Sequence, residues 1–181
     1  MYPSGRSLWI AGTPASYEYG ESNFNCCGLI IDRMEAFTDM FHLMMLGCGV
    51  GFRLLKSDVA KLPSINPQLE IMNEDYHFAG YTDSSTEHTI FAQVTPDTIA
   101  MKIGDSRKGW VDSLKYVLDI LVYKKEIQKI IMNYDWIRPE GWRIKTFGGK
   151  APGPSGMQSM YRKLIDVLHE GDHFLSSVQV L

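Results

Sequence analysis

The sequence predicts an α/β fold, and two patterns carry this prediction. Three segments have apolar residues at helical spacing, and short runs rich in β-branched and aromatic residues stand between them. The chain has 181 residues, of which 45% are hydrophobic and 22% charged, so it can bury a sizeable core. Strands that alternate with helices at this spacing favour an α/β architecture over a helical bundle or a sandwich.

The first 31 residues are expected to form a loop followed by a buried strand. Glycine and proline recur throughout residues 1–23, which predicts loop with one short strand near Ser7–Ala11. The apolar run Phe24–Ile31 predicts the buried strand. Side chains alternate across a strand, so the sulfurs of Cys26 and Cys27 are expected to face opposite ways.

A helix and a glycine-rich stretch come next. Apolar residues at helical spacing predict a helix over Met34–Leu46, with a stripe that is more typical of core packing than of function. Gly47 is placed to end this helix as a C-cap. Together with Gly49 and Gly51 it predicts a turn pressed against a ligand or another strand, or a turn packed for its own sake. Phe52–Leu55 predicts a strand.

The middle of the chain is expected to leave the core and return as a hairpin. Residues 57–85 are polar and irregular, with a short strand predicted over Leu69–Met72. Ile90–Thr95 and Thr98–Ile103 alternate like strands, and Pro96-Asp97 between them predicts a turn.

The clearest predicted element is a helix that starts after Asp105 or Ser106, either of which can cap it. Lys124 and Lys125 are expected in its last turn, where positive charge suits the helix dipole. Ile127–Tyr134 predicts a strand.

The remaining elements are a turn, a strand, a loop and a helix. Ile137–Gly141 predicts the turn and Trp142–Thr146 a short strand. Phe147–Pro154, FGGKAPGP, predicts the loop. A third amphipathic helix is expected to begin at Ser155 and to end at Gly171.

Charge and composition exclude several classes of protein. A net charge of −3 argues against a surface that coats nucleic acid. There is no apolar run long enough for a transmembrane helix, and the first residues are too polar for a signal peptide. Three cysteines, two of them adjacent, do not make a disulfide framework. These features indicate a reduced, cytoplasmic protein without a nucleic-acid or membrane partner.

Three groups of residues are candidates for chemistry, and no metal-binding motif is among them. The loop FGGKAPGP carries Lys150 and leads into a helix, so it is either an anion site or an ordinary connection. Arg107 and Lys108 stand in a first helical turn, where cations are disfavoured unless an anion binds there; the alternative is a solvated helix start. Cys26 is either a small buried hydrophobe or a redox thiol that needs a second thiol, for which Cys48 is the non-adjacent candidate.

Six segments, in this order, resemble the monomeric adenosylcobalamin-dependent class of ribonucleotide reductase, the ribonucleoside-triphosphate reductases. They are SGRSLWIAGT, FNC, GCGVGF, DSRKGWVDSL, YDWIRPEGWRIKTFGG and the loop that ends in PGP. The resemblance spans nearly the whole chain. The family has a triple glycine where this chain reads Gly47, Cys48, Gly49, so the sequence departs from the pattern at position 48.

The resemblance implies a fold and a set of substrate-site residues. The chain would form part of the ten-stranded α/β barrel of ribonucleotide reductases, with an effector-binding insertion. Cys26 would match the redox-active cysteine on the first barrel strand. Asn25, Gly47, Cys48 and Gly49 would face the ribose and phosphates of the substrate.

The resemblance also implies an allosteric specificity site that binds a deoxynucleoside triphosphate effector. Its expected contacts are Asp105, Ser106, Arg107, Lys108, Lys145 and Lys150. The implied organisation is a barrel start at 1–56, an insertion at 57–104, and a specificity-site helix, strands and loop at 105–181.

Other parts of the reductase would have to complete the site. The radical cysteine, its neighbouring glutamate, the second redox cysteine and the region that binds adenosylcobalamin in the complete enzyme are not found in this sequence. The chain alone is therefore expected to be inactive. Its expected partners are nucleoside triphosphates, the remaining catalytic portion and a thioredoxin-like reductant. Two alternatives stay open: a stand-alone deoxynucleotide-binding regulatory module, and a thiol redox protein that uses Cys26 and Cys48.

Overall fold

The computed structural model describes residues 4–80, 86–144 and 149–170. The chain divides into two compact units. The first consists of residues 1–62 and 143–150, and the second of residues 63–142 and 151–181.

The first unit begins with short helices where a loop and a strand were predicted. Helices α1 (Gly5–Ile10) and α2 (Pro14–Glu18) are followed by a 3₁₀ turn over Gly20–Asn23. The strand predicted over Ser7–Ala11 is wrong. The side chain of Ser4 accepts a hydrogen bond from the Ser7 amide and so starts α1, while Pro14 occupies the first position of α2, where its missing N–H costs nothing.

Two parallel strands form the sheet of this unit. They are β1 (Cys26–Ile30) and β2 (Gly49–Arg53), in a register that places Cys26 opposite Gly49. The strand predicted within Phe24–Ile31 is present, but the prediction that it is buried is wrong. Among the described strands β1 pairs with β2 alone, and its residues alternate between exposed and half-buried. Strand β2 begins three residues before the predicted Phe52, because Gly49 and Gly51 lie inside the strand.

Helix α3 (Glu35–Met45) connects the two strands, and its predicted end is confirmed. Gly47 has φ of 80°, and its amide donates to the Met44 carbonyl while the Cys48 amide donates to the Leu43 carbonyl. This pair of bonds is the Schellman arrangement that a glycine favours. The predicted apolar stripe is incompletely covered, since Met44 is 57% exposed. A short helix that was not predicted, α4 (Lys56–Val59), follows β2.

The second unit is built on a mixed sheet of four strands in the order β3-β6-β5-β4. The strands are β3 (Glu70–Asn73), β4 (Ile90–Thr95), β5 (Thr98–Lys102) and β6 (Lys129–Asn133). Strands β3, β6 and β5 run parallel, and β4 joins β5 as the predicted antiparallel hairpin. Strands β5 and β6 alternate between buried and half-buried residues, so one face of the sheet lies in the core.

Two helices complete this core. Helix α5 (Arg107–Tyr123) has Ser106 as its N-cap, and α6 (Ser155–Glu170) begins at the predicted residue. The Tyr161 hydroxyl, on α6, lies 2.7 Å from the Ser113 hydroxyl on α5. Both side chains are completely buried, so this bond fixes one helix against the other inside the core.

Three details of the second half of the chain differ from expectation or lie beyond the described part. Helix α5 ends at Tyr123, so Lys124 and Lys125 follow its last turn instead of lying in it. Of the strand predicted over Trp142–Thr146, residues 142–144 are described, and there Arg143 forms an isolated bridge with Lys150; Lys145 and Thr146 lie outside the described residues. The predicted helix end at Gly171 lies outside the described residues.

No helix in the described part of the chain combines the length and the apolar character that a membrane span requires.

Candidate functional site

The first candidate site is the exposed side of the β1–β2 sheet in the first unit. Cys26 is the first residue of β1 and its side chain is exposed, as is Asn25 before it. The Gly49 amide donates to the Asn25 carbonyl at 2.8 Å, which holds the start of β2 beside the start of β1. The structure therefore brings together Asn25, Cys26 and Gly49, three of the residues expected at the substrate.

The guanidinium of Arg6 organises this region. Its Nε donates to the Asn25 side chain at 2.8 Å, and Nη1 donates to the Ser22 and Leu46 carbonyls at 3.1 and 3.0 Å. Its Nη2 donates to the carbonyl of Gly47. The positive charge thus lies at the C-terminal end of α3, where a helix dipole favours a cation. One side chain links α1, the residue before β1 and the end of α3.

The side chain of Cys48 lies on the buried side of the strands. Its Sγ donates to the Phe24 carbonyl at 3.2 Å, and it is 6% exposed. Burial raises the pKa of the Cys48 thiol, and the neighbouring Cys27 thiol raises it further. The neighbouring Gly47 and Gly49 are exposed. Any contact of Cys48 with a substrate on the exposed side must therefore come from its backbone.

The second candidate site is the start of α5 in the second unit. The Ser106 hydroxyl accepts a hydrogen bond from the Gly109 amide at 2.9 Å and donates to the Glu87 carbonyl at 2.5 Å. The Asp105 amide donates to the Thr86 carbonyl at 2.7 Å. The segment 86–89 therefore packs directly against this helix start, an approach that the sequence did not indicate.

Asp105 is bound by an arginine that the sequence analysis did not select. Arg138 Nε lies 2.7 Å from Asp105 Oδ2, and both side chains are mostly buried. Burial raises the pKa of the Asp105 carboxyl, and the hydrogen bond from Arg138 opposes that rise. Arg107 is half-buried and Lys108 is exposed. Of the expected effector contacts in α5, Lys108 is thus the most accessible to solvent.

Polar residues also gather at the carboxyl ends of β6, β3 and β5, the edge at which open α/β sheets commonly bind ligands. The Asn133 amide donates to the carboxylates of Glu74 and Asp135, at 2.8 and 3.0 Å. Lys102 lies over the ring of Trp136, 4.7 Å from its centroid. Sequence reasoning missed this cluster, although polar residues directly after three strands were a signal that could have found it.

The two lysines of the glycine loop differ in how far the structure describes them. Lys150 is exposed and forms the bridge with Arg143 in the first unit. Lys145 lies outside the described residues. Their roles as effector contacts remain predictions, as do those of Asp105, Ser106, Arg107 and Lys108.

Comparisons with known proteins agree with this architecture. The family model described as "B12-dependent ribonucleotide reductase, insertion domain" matches residues 68–168. The adenosylcobalamin-dependent ribonucleoside-triphosphate reductase of Lactobacillus delbrueckii subsp. bulgaricus is 26% identical over 196 residues, covering 92% of this chain and 26% of the relative. The reductase of the same name from Lacticaseibacillus paracasei is 29% identical over 195 residues, covering 91% of this chain and 26% of the relative.

A solved structure shows the same fold. A crystal structure of a B12-dependent (class II) ribonucleotide reductase aligns with 98% of this chain and 29% of its own, with a TM-score of 0.76 and 25% identity. The predicted α/β fold class is thereby confirmed. The chain spans about a quarter of the length of the curated relatives that it matches. Since the family model covers more than half of the sequence and the fold agrees, the chain belongs to the B12-dependent ribonucleotide reductase family.

Proposed function

We propose that this chain supplies the first redox cysteine and the effector-binding part of a ribonucleoside-triphosphate reductase. The observation that carries the proposal is the placement of Cys26 on the exposed side of a parallel strand pair, beside Asn25 and opposite Gly49. A glycine leaves the space next to the thiol open, because it has no side chain to cover the strand. A ribose can then approach both the thiol and the backbone.

In the proposed reaction Cys26 is one of two thiols that reduce the substrate. The 2′-carbon loses its hydroxyl as water and gains hydrogen, and the two thiols give up two electrons and two protons as they form a disulfide. The second thiol belongs to the remaining catalytic portion. A dithiol reductant of the thioredoxin type then restores both thiols by disulfide exchange.

Adenosylcobalamin, when bound to the complete enzyme, would supply the radical that initiates the reaction. None of the residues described here is assigned to it. The part played by this chain is to hold the Cys26 thiol, the Asn25 amide and the Gly47–Gly49 backbone in place. Arg6 positions two of these, because it binds both the Asn25 side chain and the Gly47 carbonyl.

Replacing Cys26 by serine tests this role in a reductase reconstituted from this chain and its catalytic portion. We expect turnover with a dithiol reductant to be abolished while nucleoside triphosphate binding is kept, because serine preserves shape but cannot form a disulfide. Cys27→Ser is the matched control, since its side chain lies on the other side of the same strand. Equal turnover in the Cys26→Ser and wild-type reductases would refute the assignment.

The effector-binding part of the proposal rests on α5. Its first turn carries Arg107 and Lys108 and no acidic residue, so a phosphate meets no like charge on that turn. Charge-assisted contacts to phosphate are strong and gain from several converging donors. We assign Arg107 and Lys108 to the phosphates of a deoxynucleoside triphosphate, while Lys145 and Lys150 of the glycine loop stay effector contacts that the resemblance implies. Asp105 and Ser106 would act by shaping the helix start.

Calorimetric titration of the chain with each of the four deoxynucleoside triphosphates tests the effector site. Arg107→Ala or Lys150→Ala is expected to weaken binding by roughly 1–3 kcal/mol, the range for a lost hydrogen bond to a charged group. Lys163→Ala, an exposed lysine on α6, is the control and should leave affinity unchanged. A folded chain that binds none of the four would refute the site. Binding by a chain that never supports turnover in the reconstituted reductase would favour the regulatory-module alternative.

A further inference from the structure

Asp105 and Arg138 form an ion pair beside the first turn of α5, and the proposed function uses neither of these two charges. Arg138 Nε lies 2.7 Å from Asp105 Oδ2, and the two side chains are 22% and 15% exposed. Asp105 immediately precedes the N-cap Ser106 and stands two residues before Arg107. A carboxylate is thus held mostly out of water at the end of the helix where the effector phosphates are proposed to bind.

The turn that carries Arg138 is anchored within the second unit by two contacts. The Tyr76 hydroxyl donates to the Ile137 carbonyl at 2.7 Å. A Cβ at Gly153, just before α6, would lie 3.0 Å from the Glu140 nitrogen, so the chain that leads into α6 packs closely on this turn. Arg138 therefore extends from fixed main chain, which lowers the entropy that is lost when its guanidinium binds the carboxylate.

The low exposure of Asp105 makes its charge more important for a nearby ligand than the charge of an exposed carboxylate. Water and salt screen exposed charges, whereas mostly buried charges are screened much less. Glu87, whose carbonyl also packs on this helix start, is itself exposed. Without Arg138, the Asp105 carboxylate would repel any anion that approaches the cations of the first turn.

We propose that Arg138 is a positioning residue of the effector site, which holds Asp105 in place and neutralises it so that the first turn of α5 accepts a deoxynucleoside triphosphate. Arg138 acts through Asp105 and does not need to touch the effector. The proposal rests on the effector-binding part of the proposed function, and it adds the residue that sets the charge of that site. Its signature is an effect that grows with the number of phosphates on the ligand, because Coulomb repulsion scales with the product of the charges.

Calorimetric titration compares Arg138→Gln with the wild-type chain. The ligands are the deoxynucleoside triphosphate that the wild type binds most tightly and the matching monophosphate. Burial raises the pKa of the Asp105 carboxyl, so the titrations are run at pH 8 to favour its ionised form. We expect Arg138→Gln to weaken triphosphate binding about tenfold and monophosphate binding about threefold. Arg162→Gln, which replaces an exposed arginine on α6, is the matched control and should change neither affinity.

A double variant separates the effect of charge from a purely structural effect. Arg138→Gln combined with Asp105→Asn removes both charges and should return triphosphate affinity to within about threefold of the wild type, a rescue that shows the two residues act together. Arg138→Lys keeps the positive charge and should lose less affinity than Arg138→Gln. Circular dichroism confirms that each chain is folded. If Arg138→Gln does not fold, Asp105→Asn alone serves as the test, and it should bind the triphosphate more tightly than the wild type because it leaves Arg138 as an uncompensated cation.

The outcomes distinguish this proposal from the effector site on which it rests. Equal affinities of Arg138→Gln and Arg162→Gln overturn the role of Arg138 alone. That role is also overturned if the double variant binds as weakly as Arg138→Gln, or if Asp105→Asn binds more weakly than the wild type. A folded wild-type chain that binds none of the four deoxynucleoside triphosphates overturns the effector site and the role of Arg138 together.

Discussion

Replacing Arg6 by glutamine is expected to destabilise the first unit by about 2–4 kcal/mol. The guanidinium donates hydrogen bonds to the Asn25 side chain and to the carbonyls of Ser22, Leu46 and Gly47. A hydrogen bond to a charged group contributes about 1.5–3 kcal/mol when buried, and bonds that share one donor group are not additive. Because Arg6 is half-buried, water replaces part of what is lost.

Urea unfolding of the chain followed by circular dichroism measures this loss. Arg33→Gln is the matched control, because Arg33 is 53% exposed and pairs with carboxylates on the surface, where ion pairs contribute about 0–1 kcal/mol. Hydrogen exchange of the Gly49 amide, which donates to Asn25, gives a local reading and should accelerate in Arg6→Gln. If Arg6→Gln unfolds at the same urea concentration as Arg33→Gln, the linking role of Arg6 is wrong.

Three further outcomes follow from particular contacts. Gly47→Ala should cost about 1–2 kcal/mol in urea unfolding, since a left-handed conformation with φ of 80° disfavours a Cβ. Ser113→Ala should lower the free energy of unfolding by about 1–3 kcal/mol, because it leaves the completely buried Tyr161 hydroxyl without its partner. This loss should exceed the loss in Tyr161→Phe. Burial raises the pKa of the Asp105 carboxyl, so the free energy of unfolding should fall as pH rises through that pKa. Arg138→Gln should extend this fall in stability to higher pH, because it removes the cation that opposes the shift. Adding Asp105→Asn to Arg138→Gln should abolish the pH dependence, as measured in thermal melts at pH 4–7.

The elements that the sequence predicted well are those whose signal is local and repeated. Val117 and Leu121, one turn apart on the apolar face of α5, are both buried. The N-cap of this helix is Ser106, one of the two residues that the sequence predicted for it. The β4–β5 hairpin follows from two alternating runs around Pro96-Asp97. Periodicity indicates such elements because one face of each is buried by the rest of the unit.

The N-terminal helices could not be predicted from the same signals. Helix α1 has six residues and α2 has five, too short for a periodic pattern to stand out. Helix α1 is stabilised by tertiary contacts, because Arg6 on this helix donates hydrogen bonds to carbonyls 16 and 40 residues away. Main-chain carbonyls are present at every position of a chain, so no residue type marks those acceptors in the sequence.

A main-chain carbonyl that the sequence does not mark also lies at the start of α5, and it changes how an anion could bind there. The sequence indicates an anion site from two cations at a helix N-terminus, whose amides and dipole favour negative charge. In the structure the Glu87 carbonyl lies so close that a Cβ at Gly104 or Gly109 would be 2.5 or 2.6 Å from its oxygen. The Thr89 hydroxyl also donates to the Gly109 carbonyl at 2.6 Å.

The position that a phosphate would take on the axis of α5 is therefore approached by the carbonyl of Glu87, which carries the same sign of partial charge. The glycines at 104 and 109 are what allow this approach, since a Cβ at either position would meet the Glu87 carbonyl oxygen. The effector binding proposed for this end of α5 would therefore depend on the side chains of Arg107 and Lys108, with little from the helix dipole. Consequently Lys108→Ala should lower affinity for a triphosphate more than it lowers affinity for a monophosphate, because a side-chain cation gains with every phosphate charge it meets.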